Sequence, residues 1–480
     1  MRIRKIVNGL VLFACFSVGF AACTESSLPR PSAAVAYSPK APEQWCMPNG
    51  ITVMVLEDRE LPLVQGALFV RSGSLWEPVS LPGVVGAMGG QMRQGGAGSL
   101  TADELDLELE KLSANVDGGF GAEYGKFGFS SLSSDTDRVF ALFADVVLRP
   151  RFEAEHLAIW KGQVLEGIRR RKDDPHTIAS IISTELLYGP TAYGRVLVEE
   201  DVNRLTREAI IEAHRRFVNP QGALLIVSGS ISPAKVRELT DKYFGAWTAT
   251  GLGLVPPPVD FTPTPGIYFV KGPFQQATIT IGELGVQRLS PDYVAIEAFN
   301  EILSGNFASR LFAHIRTELG LAYAVYGSIQ AGVVKGVNSI MLQTKSENVG
   351  RAIAEVYRVM EELQREPPAG KELADVQRSI ENSFVFKFSS TEKLIERAAL
   401  LRMLNYPLDY DTHHLDKVRS LTPDDIMQVA QKRWDLSKFV VVVVGDETAY
   451  NSLKSLKEDP ASRIHGAPLR RVTFDQKLRL

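Results

Sequence analysis

The sequence predicts an α+β chain of two homologous modules, each a mainly antiparallel sheet covered by helices on one side. Three observations predict it. Val202, Leu205, Thr206 and Ile210 precede the apolar run Leu224–Val227 and then Gly229; at a constant offset, Val418, Leu421, Thr422 and Ile426 precede Val440–Val444 and Gly445. Each reads as a Thr-capped amphipathic helix leading into a buried strand. A second echo, in the same order, pairs Ser133–Arg138 before a helix at Val139–Leu148 with Lys345–Arg351 before one at Ala352–Leu363. Between the halves lies a Pro-rich break from Val255 to Pro265, which reads as a linker.

Composition narrows the function classes. At 480 residues the chain is too long for one ordinary core, and 45% hydrophobic with 23% charged residues is globular. A net charge of -3, with no basic cluster interleaved with aromatics and no zinc-finger spacing, excludes a nucleic-acid partner.

The N-terminus reads as an export signal over 1–22: Arg2, Arg4 and Lys5 lead a mostly apolar stretch from Ile6 to Phe20. It ends in Phe20-Ala21-Ala22-Cys23, which resembles a bacterial lipobox, so Cys23 is expected to carry lipid and hold the protein to a membrane. A plain signal peptide cut near Ala22 is the alternative. Thr24 after the cysteine favours the outer membrane by resemblance to sorting rules, with the chain facing the periplasm. With Cys15 in the export segment and Cys23 lipidated, Cys46 is left alone, without a disulfide and as a minor packing residue.

Beyond the lipobox and linker (23–44) the first module is expected over 45–254. It opens with a hairpin turning at Asn49-Gly50 into a strand Ile51–Leu56, followed by a strand Val64–Val70. Gly83, Gly86, Gly89, Gly90, Gly95, Gly96 and Gly98 then crowd a helical stretch that only Val84, Val85 and Met88 can hold by packing. After the linker (255–265) come a second module over 266–455 and a tail over 456–480.

These landmarks resemble the pitrilysin/insulinase metallopeptidase family. Pro48-Asn49-Gly50, Glu57-Asp58 and Leu61-Pro62 look like its first hairpin, and Val70–Ser74 with Glu77-Pro78 like its second strand and turn. Tyr193-Gly194 matches a small-residue turn, although Thr191-Ala192 stand where His-Pro is usual. In the second half Gly272-Pro273, Gln276, Leu303, Ser309–Phe312 and Gly320–Tyr323 match. The resemblance implies a pair of such modules forming half of a clamshell.

Active members carry H-x-x-E-H on a helix, with a further Glu about 75 residues on. Two His one turn apart and the distant Glu hold zinc, and the middle Glu is the base for a metal-bound water. Here Gly86 and Gly90 fall on the histidine positions and Gly89 on the base. Glu166 falls on the third ligand, where a solvated or arginine-paired glutamate is the plainer reading beside Arg169 and Arg170. None of the seven histidines has Glu at a zinc-motif spacing, and neighbours His413 and His414 read as surface or packing residues. This chain is therefore expected to bind no cofactor itself, with zinc in a partner.

What survives is Arg316-Thr317-Glu318-Leu319-Gly320-Leu321-Ala322-Tyr323. In the family an Arg and a Tyr at this spacing reach the zinc site of the facing half, where Tyr can donate to an oxyanion and Arg can grip a carbonyl. The resemblance thus implies a non-catalytic subunit of a heterodimeric zinc endopeptidase: Arg316 and Tyr323 act in trans on peptides or unfolded proteins beside an H-x-x-E-H-containing homologous subunit. A surface ion pair at Arg316 and a core strand position at Tyr323 stay open. So does an inactive peptide-binding or scaffold lipoprotein of the envelope.

Overall fold

The computed structural model describes residues 41–249, 254–407 and 409–473; Cys23 and the export segment lie outside them. At the start of the first module the expected hairpin forms. Gly50, at φ +96°, closes the turn, and the Asn49 side chain donates to the carbonyls of Phe244 and Trp247 at 2.8 and 3.0 Å. The turn joins β1 (Glu43–Cys46) to β2 (Thr52–Glu57). Cys46 is exposed at the end of β1 with its Sγ 3.7 Å from Thr52 Oγ1, so the packing role expected for it is corrected.

With β3 (Leu63–Val70), β4 (Asn115–Phe120), β5 (Gly125–Leu132) and β6 (Leu224–Gly229), these strands form one sheet in the order β1-β2-β6-β3-β5-β4. A second sheet uses β7 (Gly266–Lys271), β8 (Gln276–Leu284), β9 (Ala322–Ile329), β10 (Val337–Lys345), β11 (Val440–Gly445) and β12 (Leu469–Val472), in the order β12-β7-β11-β8-β10-β9. Position for position, β2 to β6 correspond to β7 to β11, each set with one parallel pair, β2 with β6 and β7 with β11. The outer strands differ: β1 runs antiparallel to β2, whereas β12 runs parallel to β7. The segment expected as a tail thus adds a strand.

Helices of the first half are α1 (Val84–Gln94), α2 (Ala102–Lys111), α3 (Thr136–Leu148), α4 (Ala154–Arg170), α5 (Pro175–Tyr188), α6 (Glu199–Arg204), α7 (Arg207–Phe217) and α8 (Pro233–Phe244). Those of the second are α9 (Tyr293–Asn300), α10 (Val349–Arg365), α11 (Gly370–Phe384), α12 (Thr391–Met403), α13 (Tyr410–Ser420), α14 (Pro423–Arg433) and α15 (Glu447–Glu458). The echoed threonines cap as expected: Thr206 accepts from the Ala209 N–H at 3.2 Å, and Thr422 from Asp425 at 3.3 Å.

Each half has its own core between one sheet face and its helices, centred on Phe127, Phe140 and Phe143 in the first and on Phe299, Ile353 and Met360 in the second. The opposite face of each sheet takes one helix from the other half. Ile178, Ala179 and Ile182 of α5 pack on Tyr268, Val440, Val442 and Val444; Ile395, Ala399 and Met403 of α12 pack on Met54, Phe69, Leu224 and Ile226. Burial on both faces is why β6 and β11 read as unbroken apolar runs. Among the described residues no helix is long and apolar enough to cross a membrane.

Candidate functional site

The glycine-crowded window folds as α1, and its start is held from outside the helix. Gly83 precedes it at φ +82°, and the Glu77 carboxylate accepts from the N–H groups of Gly83 and Val85 at 2.9 and 3.3 Å. Arg195 lies 3.3 Å from the same carboxylate. Burial nevertheless pushes the Glu77 carboxyl above its ordinary range, against these hydrogen bonds. Val84, Val85, Met88 and Met92 fix α1 to the core, which answers how a helix this rich in glycine persists. Of the seven glycines only Gly86, Gly89 and Gly90 lie within the helix.

Those three sit on different ground. Gly86 is exposed, and a Cβ there would meet nothing. Gly89 is buried against β4, where a Cβ would lie 3.0 Å from both the Phe120 backbone nitrogen and its ring. At Gly90 a Cβ would lie 3.1 Å from Trp160 Nε1, on α4. Glu166, further along α4, is half-exposed and pairs with Arg170 at 2.7 Å. The two histidine donors for zinc are therefore missing, and on α1 Phe120 crowds the base position at Gly89 while Trp160 crowds one ligand position at Gly90. Zinc does not fit here. Among the described residues no three His, Cys, Asp or Glu side chains converge as a metal site.

Arg316 and Tyr323 lie together at the start of β9. Arg310 makes a paired contact with Glu372 at 3.0 and 2.8 Å, starting a π-helical turn, Phe312–Glu318, whose Phe312 and Ile315 are buried. Gly320, at φ +60°, turns the chain into β9. Val325 pairs with Leu342 of β10 and Ala322 with Thr344, so β9 carries one extra residue at this point. Such a bulge re-aims side chains. Tyr323 and Tyr326 are 82% and 62% exposed.

Arg316 meets Tyr323 here, its guanidinium carbon 4.9 Å from the ring centre, and lies 4.5 Å from the Phe312 ring and 5.5 Å from that of Phe307. Three cation–π contacts hold it, each worth about 0.5–1 kcal/mol at an exposed site. No ion pair to Arg316 forms among the described residues, so its N–H donors are not tied to a carboxylate. Phe307 was not singled out in the sequence: it precedes the Ser309–Phe312 motif as an ordinary apolar residue. Nor was Trp160; Glu77 was read only as part of the Glu77-Pro78 turn, and its hold on the start of α1 comes from contacts across the fold.

The family described as "Insulinase (Peptidase family M16)" matches residues 53–190, and "Peptidase M16 inactive domain" matches 204–380. The chain belongs to peptidase family M16. An "uncharacterized zinc protease" of Mycobacterium tuberculosis is 22% identical over 413 residues, 84% of this chain and 93% of that protein. A Bacillus subtilis protein of the same description is 21% identical, over 74% of this chain and 86% of its own. Among solved structures, a peptidase M16 inactive domain from Pseudomonas fluorescens superposes with a TM-score of 0.77 at 25% identity, covering 85% of this chain and 98% of that one. The periplasmic protease PqqL of Escherichia coli shares the fold at 15% identity with a TM-score of 0.72; 88% of this chain matches 48% of that one. The M16 fold thus spans both sheets.

Proposed function

We propose that this M16 chain is the non-catalytic subunit of a two-chain zinc endopeptidase in the cell envelope. The observation that carries this reading is the Arg316–Tyr323 pair: an exposed phenol beside a guanidinium held by aromatic rings rather than by a carboxylate. Donors left unpaired at the surface are fit to serve an acceptor from outside the chain. Tyr323 Oη would donate to the oxyanion that develops on a scissile carbonyl, and Arg316 would hold a neighbouring carbonyl or carboxylate of the peptide. Metal and base belong to an H-x-x-E-H partner, since the residues on α1 cannot supply them. Export and lipidation at Cys23, facing the periplasm, complete the reading.

The test mixes the purified chain with an H-x-x-E-H homologue from the same organism and follows cleavage of a quenched unstructured peptide. Activity is expected only in the mixture. Tyr323→Phe in this chain should lower kcat by about 100- to 1000-fold, the usual loss for one oxyanion donor. Activity from this chain alone, or full activity with Tyr323→Phe, would overturn the reading. A stable but silent complex would move it to a peptide-binding scaffold.

A further inference from the structure

The second half carries an open cavity of ≈ 290 Å³ among α9, α12 and α13, lined by no residue of α1 or β9. Its wall is rich in cations. Arg288, Lys387 and Arg397 line it, and Glu297 is the single carboxylate among the lining residues. The hydrogen bonds among the described residues use one N–H of Arg288, to Glu123 at 2.9 Å, and two of Arg397, to Asp411 at 3.0 and 2.8 Å. A guanidinium carries five N–H donors, so both keep spare ones. Lys387 stands 3.7 Å from Glu297, beyond hydrogen-bond reach.

The deepest lining group is His414, 2% exposed, with its ring stacked on Phe384 at 5.4 Å. Its Nε2 lies 3.0 Å from Glu297 Oε2 but out of line for a hydrogen bond, and its Nδ1 has no partner among the described residues. Three phenols, Tyr293, Tyr406 and Tyr410, complete the wall. Burial pushes the Tyr406 hydroxyl up to about 12 and raises that of Tyr410, so both remain protonated donors at neutral pH. Buried polar groups are rarely left unpartnered, because each then bears its desolvation cost uncompensated.

We infer that this cavity is a binding site for a small oxyanion, a carboxylate or a phosphate, taken by Lys387, Arg397, Arg288 and the tyrosine hydroxyls. Excess donors over acceptors in the wall choose an anion rather than a cation. The volume is that of roughly ten water molecules, enough for such a head group and not for a folded segment. A second cavity of ≈ 320 Å³ shares Arg288 and Leu404 with the first and is lined as well by Arg71, Arg216 and Glu123. This site stands independently of the peptidase reading, since no lining residue belongs to α1 or β9.

The test is calorimetric titration of the full chain with inorganic phosphate, with acetate, and with a short acetylated peptide carrying a free or an amidated C-terminus. One saturable site for phosphate or for the free-acid ligands is expected, weakened at least tenfold by Lys387→Ala and by Tyr406→Phe. Binding of the free-acid peptide but not its amide would identify a carboxylate as the ligand; binding of phosphate alone would identify that ion. No saturable heat with any of them, or binding unchanged in both variants, would overturn the site and leave a water-filled cavity.

Discussion

Between Gly89 and Gly90 the loss of the zinc motif has become structural. A side chain at Gly89 would press on the Phe120 backbone, which cannot yield as a flexible chain end can, and one at Gly90 would press on Trp160. The triple change Gly86→His, Gly89→Glu, Gly90→His is therefore expected to destabilise the protein and to bind no zinc, measured by thermal unfolding and metal content after dialysis. A stoichiometric zinc ion in that variant would refute the infilling argument. A second residue-scale expectation concerns Glu283 on β8, buried and accepting from the Asp435 N–H at 2.8 Å. Burial raises its carboxyl from 4.5 to about 7. The folded chain then holds this proton more tightly than the unfolded one, so stability declines as pH rises from about 4.5 to about 7, by roughly 3 kcal/mol at most. Glu283→Gln keeps an acceptor without the charge: it should stabilise the protein at pH 8 and change little at pH 4.5, read from urea unfolding at both.

At the scale of elements, the sequence was most legible where a pattern is local. Thr206 and Thr422 announce their helices, and the runs Leu224–Val227 and Val440–Val444 announce central strands, because capping and two-sided burial act on neighbouring residues. The Arg316 and Tyr323 positions were legible from their motif. What was hidden depends on distant contacts. Ile395, Ala399 and Met403 look like any apolar helix stripe, and nothing in their spacing says that they cover the sheet of the other half. For His414 the sequence left surface and packing open, and its burial beside Glu297 and Phe384 is decided by other helices. The bulge that exposes Tyr323 appears only in the register of β9 against β10. The exchanged helix can be tested directly. Ile395 is 1% exposed, so Ile395→Ala should cost about 2–4 kcal/mol in urea unfolding, comparable with a core position of the first half such as Ile210→Ala. A cost below about 0.5 kcal/mol would mean that α12 rests on the sheet without holding it.

For the whole molecule, the exchange of α5 and α12 decides how the two modules unfold. Modules joined only by a linker would melt independently. Here each sheet keeps one face buried only while the other half is folded, through α5 on β11 in one direction and α12 on β6 in the other. Polar contacts span the same junction: Arg288 with Glu123 at 2.9 Å, Lys126 with Glu396, and Arg71 with the Arg402 carbonyl at 2.9 Å. Removing one half would strip an apolar face from the other sheet and leave it exposed to water. Calorimetry should therefore show one cooperative transition, with matching calorimetric and van't Hoff enthalpies. Chains cut within 255–265 should be insoluble or molten when expressed singly and should recover a single transition when expressed together. Two separated transitions in the intact chain, or a stable folded half, would show that the exchanged helices decorate two independent modules. The same interlock bears on the proposed trans-acting role: it couples the β9 edge carrying Tyr323 to the half whose α1 has lost the zinc ligands, so that both reach a partner as one rigid wall.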